Sequence, residues 1–130
     1  MAPRVLIVDD EQTLRVNLSA YLEDEGMCVT GVSSGEDAVA QLHSGAVFDV
    51  CVMDMRLPGM DGQETILALH AIDPDLLFIV HTGTAGYSIP APIRQLGITE
   101  HEIFPKPMPD SGALAQTILR LARTRKYADD

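Results

Sequence analysis

Basic side chains are scarce: nine lysines and arginines stand against nineteen aspartates and glutamates, a net charge of −10 over 130 residues. Gripping a phosphate backbone needs clustered cations, so direct nucleic-acid binding is excluded as the chain's own activity. The only basic cluster, Arg120, Arg123, Arg125 and Lys126, is followed by Asp129-Asp130. Cysteine is nearly absent. Cys28 and Cys51 occupy apolar strand-like runs without metal or redox spacing, and both read as buried small hydrophobes in a reducing compartment. No run approaches the roughly 20 apolar residues of a membrane span. The first residues carry one arginine and reach Asp9-Asp10-Glu11 immediately, which is not a signal-peptide pattern. The expectation is one cytoplasmic domain over residues 1–126 with a polar tail at 127–130, and partners with a positive face or a metal cation.

What is present is a regular alternation. Short apolar runs over Arg4–Val8, Met27–Val32, Phe48–Met53 and Leu76–Val80 read as strands, and Glu102–Phe104 as a brief fifth. Between them lie helical patterns. Leu14, Leu18, Tyr21 and Leu22 share one face of the first helix, which Gly26 ends. Ser33-Ser34-Gly35-Glu36 opens the second, with Ala38, Val39 and Leu42 inward. The third runs from about Gln63 to Ile72. Pro90 and Pro92 leave room for only a short fourth helix near Ile93–Leu96. The last begins at Ser111 with Leu114, Ile118 and Leu121 at helical spacing. Five strand–helix alternations predict an α/β, doubly wound, flavodoxin-like fold. Its five-stranded parallel sheet would run in the order 2-1-3-4-5, with helices on both faces.

In such a sheet, ligands bind outside the carboxyl ends of the strands. Four of those ends carry Asp9 and Asp10, then Asp54, Thr82 and Lys106. Two unit charges 4 Å apart repel by roughly 4 kcal/mol at an effective dielectric near 20. Three converging carboxylates therefore call for a cation or a proton. An oxygen-only site with room for water suits Mg²⁺. A metal, a lysine and a hydroxyl around Asp54 would form a receiver for phosphoryl oxygens, with Asp54 as nucleophile.

Asp9-Asp10, the run from Met53 through Asp54, Arg56, Leu57-Pro58-Gly59 and Asp61 to Gly62, Thr82-Gly83 and Lys106-Pro107 together resemble the receiver domain of two-component response regulators. The resemblance covers essentially the whole chain. It implies that Asp54 accepts a phosphoryl group from the phosphohistidine of a sensor histidine kinase or phosphotransfer protein. It implies Mg²⁺ held by Asp10, Asp54 and the Arg56 carbonyl, with Asp9 assisting. Lys106 would pair with the phosphoryl group and Thr82 would move toward it. Arg56 and Thr84 would tune the phosphate's lifetime, and a cis bond would precede Pro107. The changed surface of the fourth helix, fifth strand and fifth helix would then meet a downstream effector, or a fused output domain outside this chain. The resemblance weakens on that side. Ile103 stands where the family usually carries a switch aromatic, with Phe104 beside it, and the interval from Thr82 to Lys106 is longer than usual.

Two other classes fit parts of the pattern. A receiver fold could serve as a protein-interaction module that is never phosphorylated. Gly31-Val32-Ser33-Ser34-Gly35 also matches a hydrolase nucleophile elbow, with Asp54 and His81 following in order. A mononucleotide binder of the same topology would bring its phosphate against Asp9-Asp10-Glu11, which is repulsive. His43, His70, His81 and His101 show no metal spacing and read as surface or packing residues.

Overall fold

The central strands are apolar on both sides, which only a sheet covered on both faces can satisfy. In the computed structural model, which describes residues 2–83, 87–107 and 110–129 with side chains as far as Thr124, the elements alternate as expected. They are β1 (Arg4–Val8), α1 (Gln12–Asp24), β2 (Cys28–Val32), α2 (Gly35–His43), β3 (Val50–Met53) and α3 (Gly62–Ile72). Then come β4 (Leu77–Thr82), α4 (Ala91–Arg94), a 3-10 turn (Glu100–Glu102), β5 (Ile103–Pro105) and α5 (Ser111–Asp129). The sheet is parallel throughout, in the order β2-β1-β3-β4-β5.

Side-chain alternation along the strands divides the core. Leu6, Val8, Cys51, Met53, Phe78 and Val80 face α2, α3 and α4, where Leu42, Ile66, Leu69 and Ile93 meet them. Val5, Ile7, Val50, Val52 and Ile79 face α1 and α5, against Leu18, Leu22, Leu114 and Ile118. Local chemistry fixes the helix starts. Ser34 accepts from the Asp37 N–H at 3.0 Å. Asp61 forms a reciprocal capping box with Glu64.

Three expectations change. Cys28 is exposed, not buried; it opens the edge strand, paired only with Arg4 of β1. The last helix does not stop where the chain turns polar: α5 continues to Asp129, over most of the expected tail, because no glycine or proline follows Gly112. The fourth helix is four residues long and shifted earlier, with Pro90 as its N-cap and Pro92 inside its first turn, where a missing N–H costs nothing.

Candidate functional site

The site is built by register. Val8 pairs with Met53 across β1 and β3, so Asp9 and Asp54, the next residue on each strand, stand side by side at the sheet's carboxyl rim. Their backbones are fixed by ladder bonds from Asp9 N to the Val32 carbonyl at 3.1 Å and from Asp54 N to the Val8 carbonyl at 3.0 Å. Asp10 comes in from the exposed turn. Carboxylate oxygens of Asp9, Asp10 and Asp54 all lie within 4.8 Å of one another, the first and last on buried residues. On the far side Thr82 pairs with Pro105, and the Lys106 N–H donates to the Thr82 carbonyl at 3.0 Å. That bond carries the lysine to the pocket.

The carboxylates are then oriented. Asp9 Oδ1 accepts from the Glu11 N–H at 2.9 Å, and Asp54 Oδ1 from the Arg56 N–H at 3.1 Å. Lys106 Nζ lies 2.8 Å from Asp9 Oδ2, 3.3 Å from Asp54 Oδ2 and 3.5 Å from Glu11 Oε1. Burial pushes the Asp54 carboxyl above its ordinary range; the Arg56 N–H and Lys106 oppose this, and Asp9 adds to it. For Lys106, burial works against the charge, yet hydrogen bonding and charge from Asp9 and Asp54 outweigh it and leave the ammonium's pKa raised. Among the described residues one lysine thus answers Asp9, Asp54 and Glu11, with Asp10 close by, and the cluster is under-neutralised. Its donors are oxygens alone, which fits a hard divalent cation such as Mg²⁺.

The loop that supports Asp54 has no slack. A Cβ at Gly62 would lie 2.6 Å from the Asp54 carbonyl oxygen and 2.5 Å from Met55 Cα, so only glycine lets α3 start this close to the acid.

A family model described as the response regulator receiver domain matches residues 5–118. The chain belongs to this family. The receiver domain is 31% identical over 125 residues to the C4-dicarboxylate transport transcriptional regulatory protein DctD of Rhizobium meliloti (strain 1021), a match covering 96% of this chain and 26% of DctD. It is 38% identical over 95 residues to the response regulator UvrY of Escherichia coli (strain K12), covering 72% of this chain and 43% of UvrY. The chain therefore spans less than half of either relative. Among solved structures, a response regulator receiver protein from Sinorhizobium medicae WSM419 matches with a TM-score of 0.79 at 31% identity, covering 95% of this chain and 97% of that one. The signal receiver domain of a putative Luxo repressor protein from Vibrio parahaemolyticus shares the fold, with a TM-score of 0.84 at 23% identity over 99% and 96% of the two chains. This is a two-component signalling domain, and its acidic cluster fits Mg²⁺ binding.

Asp9, Asp10, Asp54 and Lys106 come together as expected, and Thr82 is tied to Lys106 through the backbone. The Lys106–Pro107 bond is cis, as the resemblance implied. Arg56 is exposed and contributes its N–H to Asp54. Thr84 lies outside the described residues. Ser33 follows β2, three strands away from β4 in the sheet. At about 4.8 Å per strand that is roughly 14 Å from His81, far too long for a nucleophile and its base. Among the described residues no helix is long and apolar enough to cross a membrane. Arg120 of the expected basic cluster is taken by Glu102, at 3.3 Å.

One feature escaped the sequence reading: Glu11 joins Lys106, a role its place beside Asp9-Asp10 could have suggested. Of the two readings open for His81, surface or packing, the structure gives packing: it is 3% exposed and lies on the α1/α5 side beside a cavity.

Proposed function

We propose that this receiver domain is a phosphorylation switch in which Asp54 is the phosphoacceptor. The observation that carries this reading is the convergence of three carboxylates and Lys106 at the carboxyl rim, with Asp54 buried, fixed by the Arg56 N–H and paired on Oδ2 with Lys106. A carboxylate oxygen of Asp54 bonds to phosphorus while the bond from phosphorus to the donor's imidazole nitrogen breaks. That nitrogen keeps the electron pair, and the product is an acyl phosphate. Asp9, Asp10, Asp54 and the Arg56 carbonyl would hold Mg²⁺, which when bound neutralises charge on the phosphoryl oxygens. Lys106 exchanges its carboxylate partners for a phosphoryl oxygen. Thr82, on the strand beside it, follows the new group with its hydroxyl. The donor is a sensor histidine kinase or phosphotransfer protein. The readout is an effector, or an output domain outside this chain, meeting the α4, β5 and α5 surface, and the compartment is the cytoplasm.

A receiver-fold interaction module that is not phosphorylated is the second reading. It is favoured by the four-residue α4 and by Phe104, which packs toward α1 and α5 while Ile103 faces the α4 side. Incubation with acetyl phosphate and Mg²⁺, followed by intact-mass measurement, separates them. The switch acquires one hydroxylamine-labile phosphoryl group that Asp54→Asn abolishes. An unlabelled wild-type protein, or a label that persists in Asp54→Asn, refutes the assignment.

A further inference from the structure

The loop between β3 and α3 orients Asp54. At its start the Arg56 N–H fixes Asp54 Oδ1 at 3.1 Å, and at its end the Gly62 N–H reaches the Met55 carbonyl at 3.3 Å. Leu57 is buried beneath it, and Asp61 caps α3. The crest, Pro58-Gly59-Met60, is open to solvent or only half-buried. Pro58 has no N–H to donate, and Gly59 takes a φ of +73°, where glycine is unstrained. The crest needs an anchor from outside the loop.

The start of α2 supplies it. Among the described residues, Glu36 is the side chain from another element that bonds this loop's backbone, its Oε2 accepting from the Met60 N–H at 3.2 Å. The same oxygen would lie 2.8 Å from a Cβ at Gly59, so the carboxylate fills the space that glycine leaves. Gly35 meets the same spot: a Cβ there would lie 3.2 Å from the Met60 carbonyl. The first turn of α2 is itself fixed, with Ser34 Oγ accepting from the Asp37 N–H at 3.0 Å.

An acid in a first helical turn ordinarily serves the helix dipole. Asp37 holds such a place too, yet it lines a groove with Arg15, Gln41 and Ser44 beside β2. Glu36 reaches across to the loop instead. Leu57, Pro58 and Gly59 alone separate Met60 from Arg56. The buried Leu57 side chain and the fixed φ of Pro58 pass a displacement along and do not absorb it.

We propose that Glu36 is a positioning residue for Asp54: it clamps the crest of the β3–α3 loop to α2, and the clamped loop holds the Arg56 N–H on Asp54 Oδ1. Its share in phosphoryl transfer rests on the reading of Asp54 as the phosphoacceptor. The clamp works as a hydrogen-bond acceptor, so a neutral amide of the same length can replace it.

Solvent exchange of backbone amides, measured by NMR on the full ¹⁵N-labelled chain without metal or phosphodonor, tests the clamp. In Glu36→Ala the Met60 and Arg56 amides should both exchange about fivefold faster. Glu36→Gln, whose amide oxygen still accepts, should stay within about twofold of wild type. Asp37→Ala removes an acid from the same helical turn and should leave both amides unchanged. Labelling by acetyl phosphate and Mg²⁺ should slow about threefold in Glu36→Ala and recover in Glu36→Gln. An unchanged Arg56 amide in Glu36→Ala, an equal effect from Asp37→Ala, no rescue by Glu36→Gln, or labelling of Glu36→Ala at the rate of a labelled wild type overturns the proposal. An unlabelled wild type would refute the Asp54 reading instead, and the exchange rates would still decide the clamp.

Discussion

The two ends of the sheet each bury acids, and they treat them differently. At the amino end Asp49, 2% exposed, is met by Arg4. Its Oδ2 accepts from the Arg4 N–H at 2.8 Å and Arg4 Nε at 3.3 Å, and its Oδ1 from Arg4 Nη2 at 3.1 Å. At the carboxyl end Asp9 and Asp54 share Lys106, which is also drawn to Glu11, and the Asp10 carboxylate lies close to both aspartates. The first arrangement sets a base against its acid in bidentate geometry and is structural. The second keeps an excess of negative charge at an opening, which costs stability and leaves a place for a cation. Neutralisation, more than burial, distinguishes the two groups of acids in this molecule.

Several substitutions would break or sharpen this contrast. The largest effect is expected from Asp10→Asn. Removing one of the three carboxylates should weaken Mg²⁺ binding about 100-fold, or ~2.7 kcal/mol, measured by calorimetry, with little change in melting temperature. Asp49→Asn should do the reverse. It leaves Arg4 without its bidentate partner and should lower stability by about 2–3 kcal/mol in urea denaturation, with Mg²⁺ affinity unchanged. If Asp49→Asn also impaired Mg²⁺ binding, the two ends would not be independent.

A third contrast lies in pH dependence. The His81 pKa is depressed to about 4 in the folded chain, against about 6.5 unfolded. Above pH 6.5 neither state binds the proton and the stability is fully present. Between 6.5 and 4 the unfolded chain takes it up first, so stability is lost as pH falls. The loss should reach about 2 kcal/mol after allowing for solvent at the cavity mouth, and His81→Leu should flatten it in thermal melts across that window. The smallest effect is expected at the exposed Arg94–Glu100 pair, 3.4 Å apart. Arg94→Ala should change stability by less than about 0.5 kcal/mol.

Much of this was legible before the structure. The central strands announce themselves because burial on both faces demands unbroken apolar runs, and their ends then place Asp9, Asp54 and Thr82 without further information. Gly26 and Ser34 mark helix limits by local backbone chemistry, which does not wait for tertiary context. The misses have physical causes. Cys28 lies in an apolar run but on the sheet's edge, where a residue opening the strand has no second neighbour. The far end of α5 is polar, yet polarity does not stop a helix that lacks a breaker. The Lys106–Glu11 pair is a long-range contact set by the turn after β1. The burial of His81 depends on the packing of α1, α5 and Pro107, which no single stretch encodes.

The central claim is that the carboxyl-rim acids, and not the paired acid at the opposite end, create a divalent-cation site. Magnesium titrated calorimetrically into wild-type protein and Asp54→Asn tests it directly. One Mg²⁺ should bind the wild type and raise its melting temperature, and the Asn variant should bind far more weakly. Absence of binding heat with an unmoved melting temperature in the wild type, or equal affinity in the two proteins, would contradict the account.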